Sequence, residues 1–329
     1  MPANIAHVLI AQAAYEALRK ENATAADLVL SKNNFFYLGS LGPDLPSYAT
    51  PQLVKAALHD LLIRPFTDQT NPREEDASFF LHSTRPNMFP WYLMETNMAF
   101  ASMRDGNLVV EEFNEAVFAF TMGYVSHIAA DQIVHKLVRE KAGPYYRNLE
   151  TAQRHADCEV HQDIFLFHEL HPKRALEKTF VAEMVNVDKL GIAYTSFCNF
   201  LSLSISKAGY ERIDREDIDL WIDGIRLTFE LMDSVGPYVG ALKNYQKHRT
   251  KPEAFPKYRE YFRDPATGFD YMDHYHRAVS LSLQYMREVA SLWEEPVFSY
   301  DRSVAFQRIV HPEDLTSPYR EDLLMNPVA

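Results

Sequence analysis

Gly123-Tyr124-Val125-Ser126-His127-Ile128-Ala129-Ala130-Asp131-Gln132-Ile133-Val134-His135 sets three potential ligands, His127, Asp131 and His135, at i, i+4 and i+8. On an α-helix this spacing puts them on one face, spread over roughly 12 Å along the axis. The intervening Ile128, Ala129, Ala130, Ile133 and Val134 are apolar. A helix hydrophobic nearly all round is buried, and buried imidazoles and carboxylates need partners or a metal ion. A polar, solvated helix face is the plain alternative, and the apolar neighbours count against it.

Working outward, Gly143-Pro144 stops this helix, which the pattern predicts over residues 108–141. Arg154-His155-Ala156-Asp157-Cys158-Glu159 then places a second imidazole and carboxylate one turn apart, on a helix predicted over 150–169. Antiparallel packing of the two helices would bring His127, Asp131, His135, His155 and Glu159 together. With 13 histidines in the chain, a lone His-x-x-x-Asp pair means little. His-x-x-x-Asp-x-x-x-His followed twenty residues later by His-x-x-x-Glu is far less accidental.

Upstream, Asn4 is placed to cap a helix reaching about residue 20, and a second helix is predicted over 25–32. The glycines and prolines of Leu38-Gly39-Ser40-Leu41-Gly42-Pro43-Asp44-Leu45-Pro46 predict a loop that presents Asp44. Residues 52–64 read as helix, 67–76 as loop, and His82 follows Phe79-Phe80-Leu81 near the next element; a helix over 87–103 should end at Asp105-Gly106-Asn107. Downstream, helices are predicted over 181–207, 215–243 and 271–295, with an irregular, proline-punctuated tail over 296–329. Strand periodicity is scarce, and 11 glycines are few for a turn-rich β-fold. The expectation is an all-α multi-helix bundle in one domain, with a ligand-bearing half (1–172), a helical half (173–295) and the tail.

The 329 residues carry a formal charge of −12, from 33 basic and 45 acidic side chains, which is not the footprint of a general nucleic-acid binder. The start, Met1-Pro2-Ala3-Asn4, lacks the basic and apolar regions of a signal peptide, and no apolar run approaches the roughly eighteen residues of a membrane span. A cytoplasmic location is therefore expected, with Cys158 and Cys198 as reduced, buried thiols.

Together with Ala6-His7 near the start, Gly42-Pro43-Asp44 and the isolated His82, the two clusters resemble the bacterial zinc-dependent phospholipase C family, related in fold to fungal single-strand-specific nucleases. The resemblance spans roughly residues 1–165, and its specificity lies in the order and spacing of the pieces. It implies two to three Zn²⁺ ions: one held by Asp44, His82, His127 and Asp131, a second by His135, His155 and Glu159, and a third by His7 with Asp131 as bridge. Secreted members complete the third site with a mature N-terminal tryptophan, whereas this chain begins Met1-Pro2; the aromatic residue that choline-selective members carry after the loop aspartate is Leu45 here.

The implied activity is phosphodiester hydrolysis, with Asp44 as candidate general base or water-orienting group. Phospholipid is the first substrate class. A nuclease or small-molecule phosphoesterase is the second reading, and a non-catalytic helical zinc-binding module the third. His59-Asp60 resembles the dipeptide of another helical metal phosphohydrolase family, but sits in an ordinary amphipathic pattern. His161, His168 and His171 read as helix-surface or helix-end residues, His274 and His276 as solvated or cleft-lining, and Phe89, Trp91 and Tyr92 as core.

Overall fold

The computed structural model describes residues 4–49, 77–83, 86–104, 107–109, 111–143, 149–177, 179–211, 213–232, 238–296 and 298–310. The helix expected over 52–64, with its His59-Asp60 pair, the loop over 67–76 and the end of the tail lie outside them. The fold is all-α. Helices α1 (Asn4–Glu21), α2 (Ala23–Ser31) and α3 (Asn33–Gly39) lead into a 3-10 helix, Gly42–Tyr48. Short α4 (Ala77–Ser83) and α5 (Met88–Ala99) precede strands β1 (Ser102–Arg104) and β2 (Asn107–Val109). Then come α6 (Glu112–Ala142), α7 (Leu149–Leu170), α8 (Thr179–Met184), α9 (Ile192–Lys207), α10 (Arg215–Glu230) and α11 (Tyr238–His248). A 3-10 turn (Pro252–Ala254), α12 (Pro256–Tyr261), strands β3 (Arg263–Asp264) and β4 (Phe269–Asp270), α13 (Tyr271–Glu294) and α14 (Tyr300–Ile309) complete the order.

The 31-residue α6 is the axis of the molecule: α1, α2, α3, α5, α7, α9 and α13 all pack on it. Its sequence explains why, since residues 116–131 are buried without interruption. Several polar side chains inside this sheath are paired. Asn97 and Asn114 exchange hydrogen bonds between α5 and α6, and the Tyr285 hydroxyl of α13 donates to Gln132 at 2.6 Å. Gly143 ends α6 with φ 86°, a left-handed value that glycine adopts freely.

Several boundaries depart from expectation. The Gly-Pro segment around Asp44 is a 3-10 helix rather than a loop, because Pro43 at its start needs no amide partner and i→i+3 bonds tolerate the tight turn. The helices expected over 87–103 and 108–141 give way between them to the β1–β2 hairpin, whose strands pair antiparallel from Ser102–Val109 to Arg104–Asn107. Residues 181–207 split into α8 and α9 around Gly191, and 215–243 splits into α10 and α11. The tail taken as irregular contains α14, whose Ser299 caps Arg302 N and whose Phe306 is buried.

Two glycines set the crossing of α3 on α6. A Cβ on Gly39 would collide with the Phe120 carbonyl, and one on Gly123 with the Phe36 carbonyl and the Ser40 amide. The bare backbones therefore touch, which fixes the Ser40 carbonyl beside His127. Gly123→Ala should cost about 2 kcal/mol by overpacking and lower the melting temperature by several degrees in circular dichroism; an unchanged melting curve would refute the contact.

Candidate metal centre

The 3.6-residue period of α6 delivers His127, Asp131 and His135 to one face, and that face meets His7 from α1, Asp44 from the 3-10 helix and His82 from α4. Asp131 lies at the middle. His127 Nε2 stands 3.1 Å and His82 Nε2 3.5 Å from its Oδ2, while His135 Nε2 stands 3.2 Å and His7 Nε2 3.3 Å from its Oδ1. Asp44 lies 3.3 Å from His82 and 3.8 Å from His127. One turn along, Glu159 Oε1 approaches His155 Nε2 at 3.2 Å and His135 Nδ1 at 3.5 Å.

All eight predicted ligands thus converge. They fall into three groups whose ligand atoms lie within 4.8 Å of one another: His7, Asp44 and His127; His82, His127 and Asp131; His135, His155 and Glu159. The grouping differs from the expected one in setting Asp44 with His7 as well as beside His82.

The backbone orients two of the imidazoles. His127 Nδ1 meets the Ser40 carbonyl at 2.9 Å and His82 Nδ1 meets the Ser78 carbonyl at 2.7 Å. As donors to those oxygens, the Nδ1 positions keep the protons and turn the Nε2 lone pairs inward, the arrangement that metal-binding histidines require.

Charge is the unusual feature. Asp44, Asp131 and Glu159 are 3%, 2% and 2% exposed, yet among the described residues they have only histidines as ionic partners, with no lysine or arginine. Burial disfavours the charged form of Asp131, but the charges of His127 and His135 outweigh it and hold the carboxyl far below its ordinary range. Burial also opposes ionisation of Asp44, whose pKa is lowered by His127 and His82. His82 is pulled in opposite directions: burial lowers its pKa, while Asp44, Asp131 and the Ser78 carbonyl raise it to about 9. Despite its closeness to Asp131, His7 stays neutral near pH 7, because burial and the neighbouring His127 depress it to about 3.

The donor set fits zinc. Tetrahedral nitrogen and oxygen ligands at about 2.0–2.1 Å from the ion stand about 3.3 Å from one another, close to the 3.1–3.5 Å separations around Asp131. Several of these contacts are not hydrogen bonds. Among the described residues, both Asp131 oxygens, Asp44 Oδ2 and Glu159 Oε2 are buried without a hydrogen-bond partner. Orphaned buried acceptors are costly unless an ion satisfies them.

The remaining candidates stay apart from this cluster. His161 is not a surface residue: it is 6% exposed, with Nδ1 2.7 Å from the Asp157 carbonyl and its ring against Phe255. His168 stacks on Tyr245 at 4.3 Å, and His276 is exposed. Phe89 and Trp91 are buried core, as is Leu45. Cys158 and Cys198 are free and buried.

Sequence reasoning passed over Asp163, a buried carboxylate that accepts hydrogen bonds from the Ile5 and Ala6 amides and the Tyr238 hydroxyl. Burial pushes its pKa up to about 7 against the pull of these three donors. A signal was there, since Asp163 continues the i, i+4, i+8 stripe begun by His155 and Glu159.

If the groups are separate sites, Glu159→Ala should release one ion per chain, measured by mass spectrometry of metal in the purified protein, and leave the ion beside His82 and His127. Loss of every ion would instead mark a single cooperative cluster.

A family model for zinc-dependent phospholipase C matches residues 6–199, reaching past the motif-bearing half into α9. No curated protein and no solved structure gives a significant match. With well over half of its length matched and the cluster in place, the chain belongs to the zinc-dependent phospholipase C family.

Proposed function

We propose that the protein is a zinc-dependent phosphodiester hydrolase of phospholipase C type. The observation that supports this most is the convergence of five imidazoles and three carboxylates with orphaned inward-facing atoms and no lysine or arginine among the described residues to neutralise them. In this reading Asp44, His82, His127 and Asp131 would hold one Zn²⁺ ion, His135, His155 and Glu159 a second, and His7 with Asp131 would contribute to a third. Bound zinc would supply Lewis acidity toward a phosphoryl oxygen and would acidify water to near neutrality.

The chain's own groups would do the rest. His135, with 19% of its side chain exposed against 1% for Asp131, marks the side from which a phosphodiester would enter. Neutral imidazoles at His7 and at the carbonyl-anchored His82 and His127 would present lone pairs once a cation displaces their protons. Asp44 is the candidate general base: it is the carboxylate carried on the 3-10 helix, away from the α6 and α7 stripes, and its Oδ2 makes no hydrogen bond among the described residues. From there it would orient water and accept its proton.

Phospholipid is the proposed substrate class. With Leu45 in the core, no aromatic cage for choline forms at that position, so selection by quaternary ammonium is not expected there. Among the described residues, no helix is long and apolar enough to cross a membrane, so contact with lipid would be from the surface.

Asp44→Asn should lower hydrolysis of bis-p-nitrophenyl phosphate by about a hundredfold or more while zinc content changes little. Equal losses of turnover and zinc would reduce Asp44 to a ligand alone. Asp131→Ala serves as the reference that loses both, and a metal-free, folded, inactive wild type would overturn the proposal.

A further inference from the structure

His7 is the one candidate ligand carried by α1, and α1 must be held at a single rotation and a single height for its imidazole to meet Asp131. One residue of slip along a helix moves a side chain by about 1.5 Å and turns it by about 100°, enough to remove His7 from the cluster. What fixes α1 lies in α7. The two oxygens of Asp163 take the two amides just before His7, Oδ2 from Ile5 at 3.1 Å and Oδ1 from Ala6 at 2.7 Å. Two consecutive amides on one planar carboxylate specify rotation as well as height. The carboxyl group also stands at the positive end of an 18-residue helix.

The carboxylate is itself held. The Tyr238 hydroxyl, at the start of α11, donates to Asp163 Oδ2, and both side chains are buried. Asp163 sits one turn beyond Glu159 and two beyond His155 on the same face of α7. One helix face thus presents the ligands of one metal group and the carboxylate that anchors the segment bearing His7.

We propose that Asp163, backed by Tyr238, is the positioning residue for His7, so that α7 controls occupancy of the metal position His7 serves as well as the one it builds with His135. This rests on the metal-centre reading above. Asp163 touches no ion in this role: it acts through the first turn of α1.

The test uses the full chain loaded with Zn²⁺, counting bound ions after equilibrium dialysis and recording the visible spectrum of the Co²⁺-substituted protein. His7→Ala and Asp163→Asn should each lose the same single ion with the same spectral change. The double variant should lose nothing more, and the ion at His135, His155 and Glu159 should persist in all three. Tyr238→Phe, which keeps the packing and deletes one donor, should weaken that same ion about tenfold, the worth of one hydrogen bond to a charged group; it decides the matter if Asp163→Asn does not fold. An Asp163→Asn protein with the full wild-type complement, or one that loses every ion, overturns the inference. A folded wild type that binds no zinc overturns the metal-centre reading and this one with it.

Discussion

Three carboxylates in the interior of a helical bundle would ordinarily be met by lysine or arginine, or left protonated. At Asp44, Asp131 and Glu159 the described residues offer no lysine or arginine: imidazoles approach them at 3.1–3.8 Å, and burial fails to raise their pKa values. A buried anion without a cation carries a penalty of several kcal/mol. Much of the architecture follows from meeting it. Helix α6 must be straight and apolar enough to run through the core, α3 must approach it backbone to backbone, and the Ser40 and Ser78 carbonyls must stand where they can take the outer protons of His127 and His82.

The interior position also favours a fixed ligand geometry. Each orienting contact comes from backbone or from a side chain locked in the core, and such contacts hold ligand geometry better than exposed loops do. Asp131, whose oxygens face four histidines, is the residue all of these supports converge upon.

Much of this was legible in the chain itself. The stripe His127–Asp131–His135 announces its helix and face because its neighbours are apolar, and His155–Glu159 repeats the device on α7. His7, Asp44 and His82 carry no periodic signal; only their order relative to the stripes, through family resemblance, singles them out. The carbonyls of Ser40 and Ser78 were not legible, since any residue type supplies a carbonyl. The break at Gly191 escaped because apolar residues continue on either side of it, and the hairpin at β1–β2 because its strands are too short to show alternation. Asp163 was readable in principle: the stripe of α7 extends one turn past Glu159, and its third member was passed over because it makes no metal motif.

The bonds from Asp163 to Ile5 and Ala6 join positions 158 and 157 residues apart. During synthesis the amino-terminal segment leaves the ribosome first; α1 also packs on α2, α6 and α13, but the two hydrogen bonds to its first turn cannot form until α7 has followed it. Half the chain must therefore emerge before the centre can close. If a metal ion binds at His7, its uptake would follow the docking of α7, and nascent fragments ending before α7 would lack the Asp163 carboxylate.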